Sequence, residues 1–356
     1  MKRILYIGGF HLPDQNAAAQ RVMGMAKAFG QLNYEVFFYS TFGKSHQIKK
    51  AEYNGFSCLE HDKPNSLDYF VSAKSVINVI RKVVPDYVIA YNYPAFALSR
   101  IAQFCSKNSI KCIADVTEWY EPHGSFFYKM VMKVDISYRM KWVHFKLDGI
   151  IAISKYLFDM YSRKVNTVLI PPLVDSSDLK WKKDIRKKCE MTKFVYAGNP
   201  SNRKEKLDTV VEAIQRVAEK QQVQFDIVGL TEEEYRDMYL YTSRIGNSIK
   251  FWGRMSHEDT LKIVKNADWT IVLRENTRLV KAGFPTKVVE SISCQTPVIV
   301  NRFSNIMDYL DEKNCLVTSI DDLDKIICKA CKIRKKPDEK LFDYRNYVDK
   351  IAQLLD

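Results

Sequence analysis

At 356 residues the chain is more than twice the length of a typical domain of about 150 residues, so two domains are expected. Hydrophobic residues make up 46% and charged residues 27%, which excludes disorder, collagen and coiled coil as the main architecture. Lys and Arg number 55 against 42 Asp and Glu, a formal +13 that points to nucleic acid, anionic lipid or a phosphorylated small molecule as partner.

The eight cysteines are thinly spread through mostly apolar stretches, as free thiols in a reducing cytoplasm would be. The first ten residues are too short and too soon broken by Gly8 and Gly9 for a secretory signal. No apolar run reaches about 18 residues, so any membrane association is expected to be peripheral.

Short β-branched and aromatic runs alternate with segments of helical period, the pattern of parallel strands joined by crossover helices. Strands are expected at 3–10, 35–41, 86–92, 111–117, 149–154 and 167–171, with helices such as 18–32 and 72–83 between them. Residues 175–191, polar and lysine-rich after Pro171 and Pro172, read as a linker. The pattern then restarts at 193–198, followed by 225–230, 249–254, 269–273, 297–301 and 315–318. Ser256 and Asp259 suggest a capping box for a helix over 257–266. The expected fold class is α/β, two doubly wound units, whose ligands bind where loops leave the carboxyl ends of the strands.

Three strand-to-helix turns are candidates for an anion. After the first strand, Gly8 and Gly9 precede a helix opening near Ala18, a phosphate turn or a simple chain reversal, because no Gly-x-Gly-x-x-Gly is present. The second domain opens with Gly198, Asn199 and Pro200 and then Arg203, Lys204 and Lys206. Those cations suit a diphosphate leaving group, or are a solvated basic loop. In the stretch 274–300, a helix beginning near Pro285 directs its positive end to a ligand. Lys287 and Glu290 share one face of that helix, either to hold phosphate and ribose or as a surface ion pair.

The order of these pieces resembles a GT-B glycosyltransferase of the family 4 type over nearly the whole chain. It comprises the glycine turn, residues 148–154, residues 170–175, Gly198 with its basic followers, Phe251 to Arg254, and Gly283, Phe284, Pro285, Thr286, Lys287, Val288, Val289 and Glu290 followed by residues 296–299. The resemblance implies two Rossmann-like domains. An acceptor-binding domain would span 1–176 and a sugar-nucleotide domain 177–340, with a helix in 341–356 packing back on the first.

It also implies a metal-independent, retaining transfer without a cofactor. Glu290 matches the ribose-binding glutamate, Arg203 with Lys206 or Lys204 the pyrophosphate-binding pair, and Gly9 the loop glycine at the distal phosphate. Gly198, Asn199, Arg254, Gly283, Phe284, Thr286 and Lys287 complete the implied donor contacts, and Glu118 would face the acceptor. His123 is an acceptor-side candidate or an exposed loop histidine. The family's Glu-x7-Glu carries Ala282 at its first position here, in a Pro-x-Lys-x-x-Glu variant.

The implied partners are a nucleotide sugar and a carbohydrate or lipid-linked saccharide. Aromatic residues and lysines interleaved over 125–146 suit contact with an anionic inner leaflet, or a core helix with a basic outer face. No dense basic–aromatic module for nucleic acid is present. A sugar-nucleotide epimerase and a silent nucleotide-sugar-binding protein are the competing functions. Cys328 and Cys331 are expected on one helix face rather than as a metal site.

Overall fold

The computed structural model describes residues 1–41, 48–61, 66–122, 124–183, 191–200 and 204–355. The chain divides into two compact units. The first is Met1–Val174 with Ala282–Phe284 and Tyr344–Asp356; the second is Asp175–Lys281 with Pro285–Asp343.

The first unit is built on strands β1 (Arg3–Gly8), β2 (Glu35–Ser40), β3 (Lys49–Tyr53), β4 (Phe56–Glu60), β5 (Tyr87–Tyr91), β6 (Lys111–Val116), β7 (Gly149–Ala152) and β8 (Thr167–Leu169). Their order in the sheet is β3-β4-β2-β1-β5-β6-β7-β8, parallel except for the β3–β4 hairpin. Ile4, Leu5, Tyr6 and Ile7 are all fully buried, as central strands covered on both faces require. Helices α1 (Ala17–Gln31), α2 (Lys74–Val83), α3 (Ala95–Lys107), α4 (Phe126–Tyr138) and α5 (Lys155–Tyr161) make the crossovers. Asn16 caps α1 by accepting the Ala19 amide at 2.8 Å, and Val22, Met25, Ala26 and Phe29 bury its inner face.

The hairpin β3–β4 is a finding beyond the expected strands. Its turn is Asn54-Gly55, both with positive φ (52° and 81°), the pair favoured by a two-residue hairpin. The last segment forms a short helical turn, Tyr344–Tyr347, and then α12 (Val348–Ala352). Tyr344, Ile351, Leu354 and Leu355 enter the same core as α1.

The second unit contains β9 (Thr192–Ala197), β10 (Val223–Val228), β11 (Ile249–Gly253), β12 (Trp269–Val272), β13 (Val298–Val300) and β14 (Cys315–Val317). They form one parallel sheet in the order β11-β10-β9-β12-β13-β14. Around it lie α6 (Leu207–Ala218), α7 (Glu232–Tyr239), α8 (His257–Asn266), α9 (Arg278–Ala282), α10 (Thr286–Ser293) and α11 (Leu323–Ala330). Ser256 caps α8 by accepting the Asp259 amide at 3.1 Å. The Asp259 carboxylate accepts the Ser256 hydroxyl rather than closing a reciprocal box. Thr231 and Glu234 form the complete capping box, on α7.

The thiols described are free, and Cys58 and Cys294 behave as core residues whose pKa burial pushes up to about 12. Cys328 and Cys331 are free and half-buried at the end of α11; Cys189 lies outside the described residues. Among the described residues no helix is long and apolar enough to cross a membrane.

Candidate functional site

Each unit gathers polar groups at the carboxyl ends of its central strands. In the second unit β9 ends at Gly198 (φ +120°) and β10 at Gly229 (φ +116°). A Cβ on Gly229 would lie 2.3 Å from the Gly198 carbonyl oxygen, so the two turns approach within a distance only glycine permits. A Cβ on Gly198 would lie 2.9 Å from Cε of Lys287, whose ammonium sits 5.1 Å from the centre of the Tyr196 ring. Lys287 is the second residue of α10, after Pro285 in the N-cap position.

The partner of Lys287 is Glu205, a residue the sequence reading passed over. Its carboxylate is 3% exposed and accepts Arg274 Nη2 at 2.7 Å and Lys287 Nζ at 3.4 Å. Residues 205 and 274 also pair through their backbones, and the Lys206 amide donates to Leu273 O at 3.0 Å. Burial lowers the pKa of Lys287, while Glu205 and Glu290 oppose that shift. Arg274 Nε and the Tyr196 hydroxyl are buried with no hydrogen-bond partner among the described residues.

Glu290 follows Lys287 by one turn, and its side chain is 15% exposed. Its Oε1 lies 3.2 Å from Nε2 of His257, the first residue of α8. The two residues expected to share a helix face thus take separate partners, Glu205 for the lysine and the His257 imidazole for the glutamate. Lys206 pairs with Glu275, and Lys204 accepts the Glu275 amide through its carbonyl at 3.3 Å. Asn199 is exposed and Thr286 half-buried near this cluster in sequence. Arg254 stands apart, its side chain 77% exposed and 3.7 Å from Glu234. Gly283 and Phe284 fall with the first unit, after the fully buried Ala282. Arg203 and His123 lie outside the described residues.

In the first unit a cavity of about 350 Å³ opens beyond β1, β5 and β6. Gly9, Tyr69, Tyr91, Asn92, Glu118 and Tyr120 line it, and α4 closes one side with Tyr128, Met132 and Asp135, followed by Arg139 just past its end. The spacing of four, three and four residues places these on one helical face. Asn92, with φ +43°, exchanges two hydrogen bonds with Thr117 (2.6 and 3.1 Å) and so fixes the loop before Glu118. Asp135 accepts the Ala95 amide at the start of α3, and burial raises its pKa against the pull of Arg139. Arg139 donates to the carbonyls of Asn92 and Tyr93.

Beneath this cavity, Arg21 of α1 meets Asp115 of β6 through contacts of 2.7, 2.9 and 2.9 Å, with both side chains buried. The Tyr6 hydroxyl donates to the same carboxylate at 2.5 Å, and Arg21 Nη1 donates to the carbonyls of Ile170 and Pro171.

Residues 177–342 match the family model described as glycosyl transferases group 1. No curated protein matches the chain. Among solved structures, the sucrose-phosphate synthase of Thermosynechococcus elongatus superimposes with a TM-score of 0.74 at 14% identity, covering 100% of this chain and 98% of that one. The HepE protein of Anabaena, solved with UDP-glucose, gives 0.67 at 15% identity, covering 100% and 99%. The lipopolysaccharide outer core galactosyltransferase WaaB gives 0.63 at 15% identity, with 99% of each chain covered. At such identities the likeness establishes the fold, which is GT-B.

Proposed function

We propose that this chain, whose fold is GT-B and whose residues 177–342 match the group 1 glycosyl transferase model, moves a sugar from a nucleoside-diphosphate sugar to an acceptor hydroxyl. The observation that carries this reading is the start of α10, where the sheltered carboxylate of Glu290 lies one turn from Lys287, whose half-buried side chain packs against the Gly198 turn. A carboxylate accepts the two hydroxyls of a ribose, and an ammonium beside close-packed backbone takes phosphate oxygens. That HepE was solved with UDP-glucose supports a nucleotide sugar as donor.

In this reading Arg203, Lys204, Lys206 and Lys287 stabilise the departing diphosphate, which itself takes the acceptor's proton. No metal or cofactor takes part, and the anomeric configuration is retained. Removing one such cation costs about 2.7–4 kcal/mol of transition-state stabilisation if it acts as a preorganised donor. The acceptor sits in the aromatic-lined cavity of the first unit, with Glu118 facing its hydroxyl; His123 remains an acceptor-side candidate from the sequence alone. The acceptor is a carbohydrate or lipid-linked saccharide, met at the inner face of a membrane. The exposed side of α4 supports that last point, since Phe126, Phe127, Met130, Val131 and Val134 are open to solvent among Lys129 and Lys133.

A thermal-shift screen of UDP-, GDP- and TDP-sugars tests the donor. The true donor at one hundred times its dissociation constant stabilises the protein by about 2.7 kcal/mol, and Glu290→Ala abolishes the shift. Acceptor-dependent release of the nucleoside diphosphate then separates transfer from epimerisation. A protein whose melting is unmoved by every nucleotide sugar would refute the proposal.

A further inference from the structure

Glu205 is out of place in a basic loop. Carboxylates are rarely buried unless paired, and this one is paired twice, with cations from β12's exit and from α10. It is not needed to hold its own segment in position. The backbone bridge between residues 205 and 274 and the Lys206 amide bond to Leu273 already dock that segment against the end of β12. What the carboxylate adds is charge. It faces Lys287 and Arg274 directly, and the other titratable groups around Lys287 are Glu290 and Tyr196.

We propose that Glu205 is a positioning residue for the donor's diphosphate: its carboxylate holds the Lys287 ammonium beside Arg274, so that both cations address the phosphates together. The inference rests on the donor reading above. Without Glu205, the ammonium would remain pressed against the Tyr196 ring and the Gly198 turn, where burial drives it toward the neutral amine. Anion affinity would then decline as pH rises, a signature that simple loosening of the loop does not produce.

The test uses the whole chain and inorganic pyrophosphate as probe, with dissociation constants measured by calorimetry between about pH 7 and about pH 9.5, below the ordinary lysine pKa. Dividing each variant's constant by the wild-type value at the same pH removes the titration of the probe itself. For Glu205→Gln that ratio is expected to widen as pH rises, approaching the factor of about ten that each pH unit above the ammonium's pKa brings. Glu205→Asp keeps the charge and holds the ratio flat. In a Lys287→Met background the pH dependence caused by Glu205→Gln disappears, because the group it acts through is gone.

A ratio constant with pH, or one that widens equally in the Lys287→Met background, would overturn the positioning role while leaving the donor reading intact. Should Glu205→Gln fail to fold, the Glu205→Asp and Lys287→Met proteins decide: the role requires Glu205→Asp to follow the wild-type profile and is refuted if it shows the alkaline loss. Wild-type protein that takes up no pyrophosphate would instead sink the donor reading, and this inference with it.

Discussion

Replacing Asp115 by Asn should destabilise the first unit from within its core. The change keeps the side chain's shape and removes its charge, leaving the Arg21 guanidinium 2% exposed with no counter-ion in its three-contact arrangement. Stranding one member of a buried pair costs about 3–5 kcal/mol. The Tyr6 hydroxyl also exchanges a charged acceptor at 2.5 Å for a neutral one, a further loss of about 1 kcal/mol. Part of this is offset because Arg21 Nη1 still reaches the carbonyls of Ile170 and Pro171, so we expect about 4 kcal/mol in all.

Such a loss is a large share of a typical domain stability of about 5–15 kcal/mol. Urea titration read by hydrogen exchange and mass spectrometry separates the two units, and the loss should fall on peptides of the first alone. Arg21→Met with Asp115→Leu should recover much of it, since an apolar pair of similar volume replaces the ions. An Asp115→Asn protein less than about 1 kcal/mol below wild type would refute the claim that this pair anchors β6 under the cavity.

Gly229→Ala should cost at least about 3 kcal/mol or prevent folding, because its Cβ meets the Gly198 carbonyl at 2.3 Å and its φ is +116°. Gly246→Ala, whose nearest neighbour is the Gln215 amide oxygen at 3.6 Å, should melt within a few degrees of wild type; equal Tm losses for the two would contradict the packing described. On α4, changing Phe126 and Phe127 to Ser should reduce sedimentation with anionic vesicles at least about tenfold at low salt, these being the most exposed aromatic rings of the helix (85% and 71%). Wild-type protein that stays in solution with such vesicles would remove the membrane reading.

The fold was largely legible because its central strands are buried on both faces. Val88, Ile89 and Ala90 of β5 and Ile150, Ile151 and Ala152 of β7 are fully buried, so the burial that stabilises them is written as unbroken apolar runs. The β3–β4 hairpin lies at the sheet edge, where Lys49, Lys50 and Glu60 dilute the hydrophobic pattern. Asn54-Gly55 was the signal that would have found it.

The site was less legible, for the reason that its ion pairs are not local. Glu205 finds Arg274 and Lys287 69 and 82 positions away, and nothing in a run of lysines foretells that its one acid turns inward. Nothing around His257 in the sequence marks it as a site residue, yet packing of α8 beside α10 brings it to Glu290 across 33 positions. Tyr128, Met132 and Asp135 with Arg139 had a periodicity visible in the sequence, but only the fold shows that their face lines a cavity while its neighbours stay exposed.

The first unit draws its core from both ends of the polypeptide, with residues 344–355 supplying Tyr344, Ile351, Leu354 and Leu355 beside α1. During translation, residues 344–355 emerge after everything else they pack against, so the first unit waits with a patch of nascent α1 uncovered until they arrive. A chain cut short before residue 344 should accordingly lose stability in the first unit, where those side chains would be missing from beside α1.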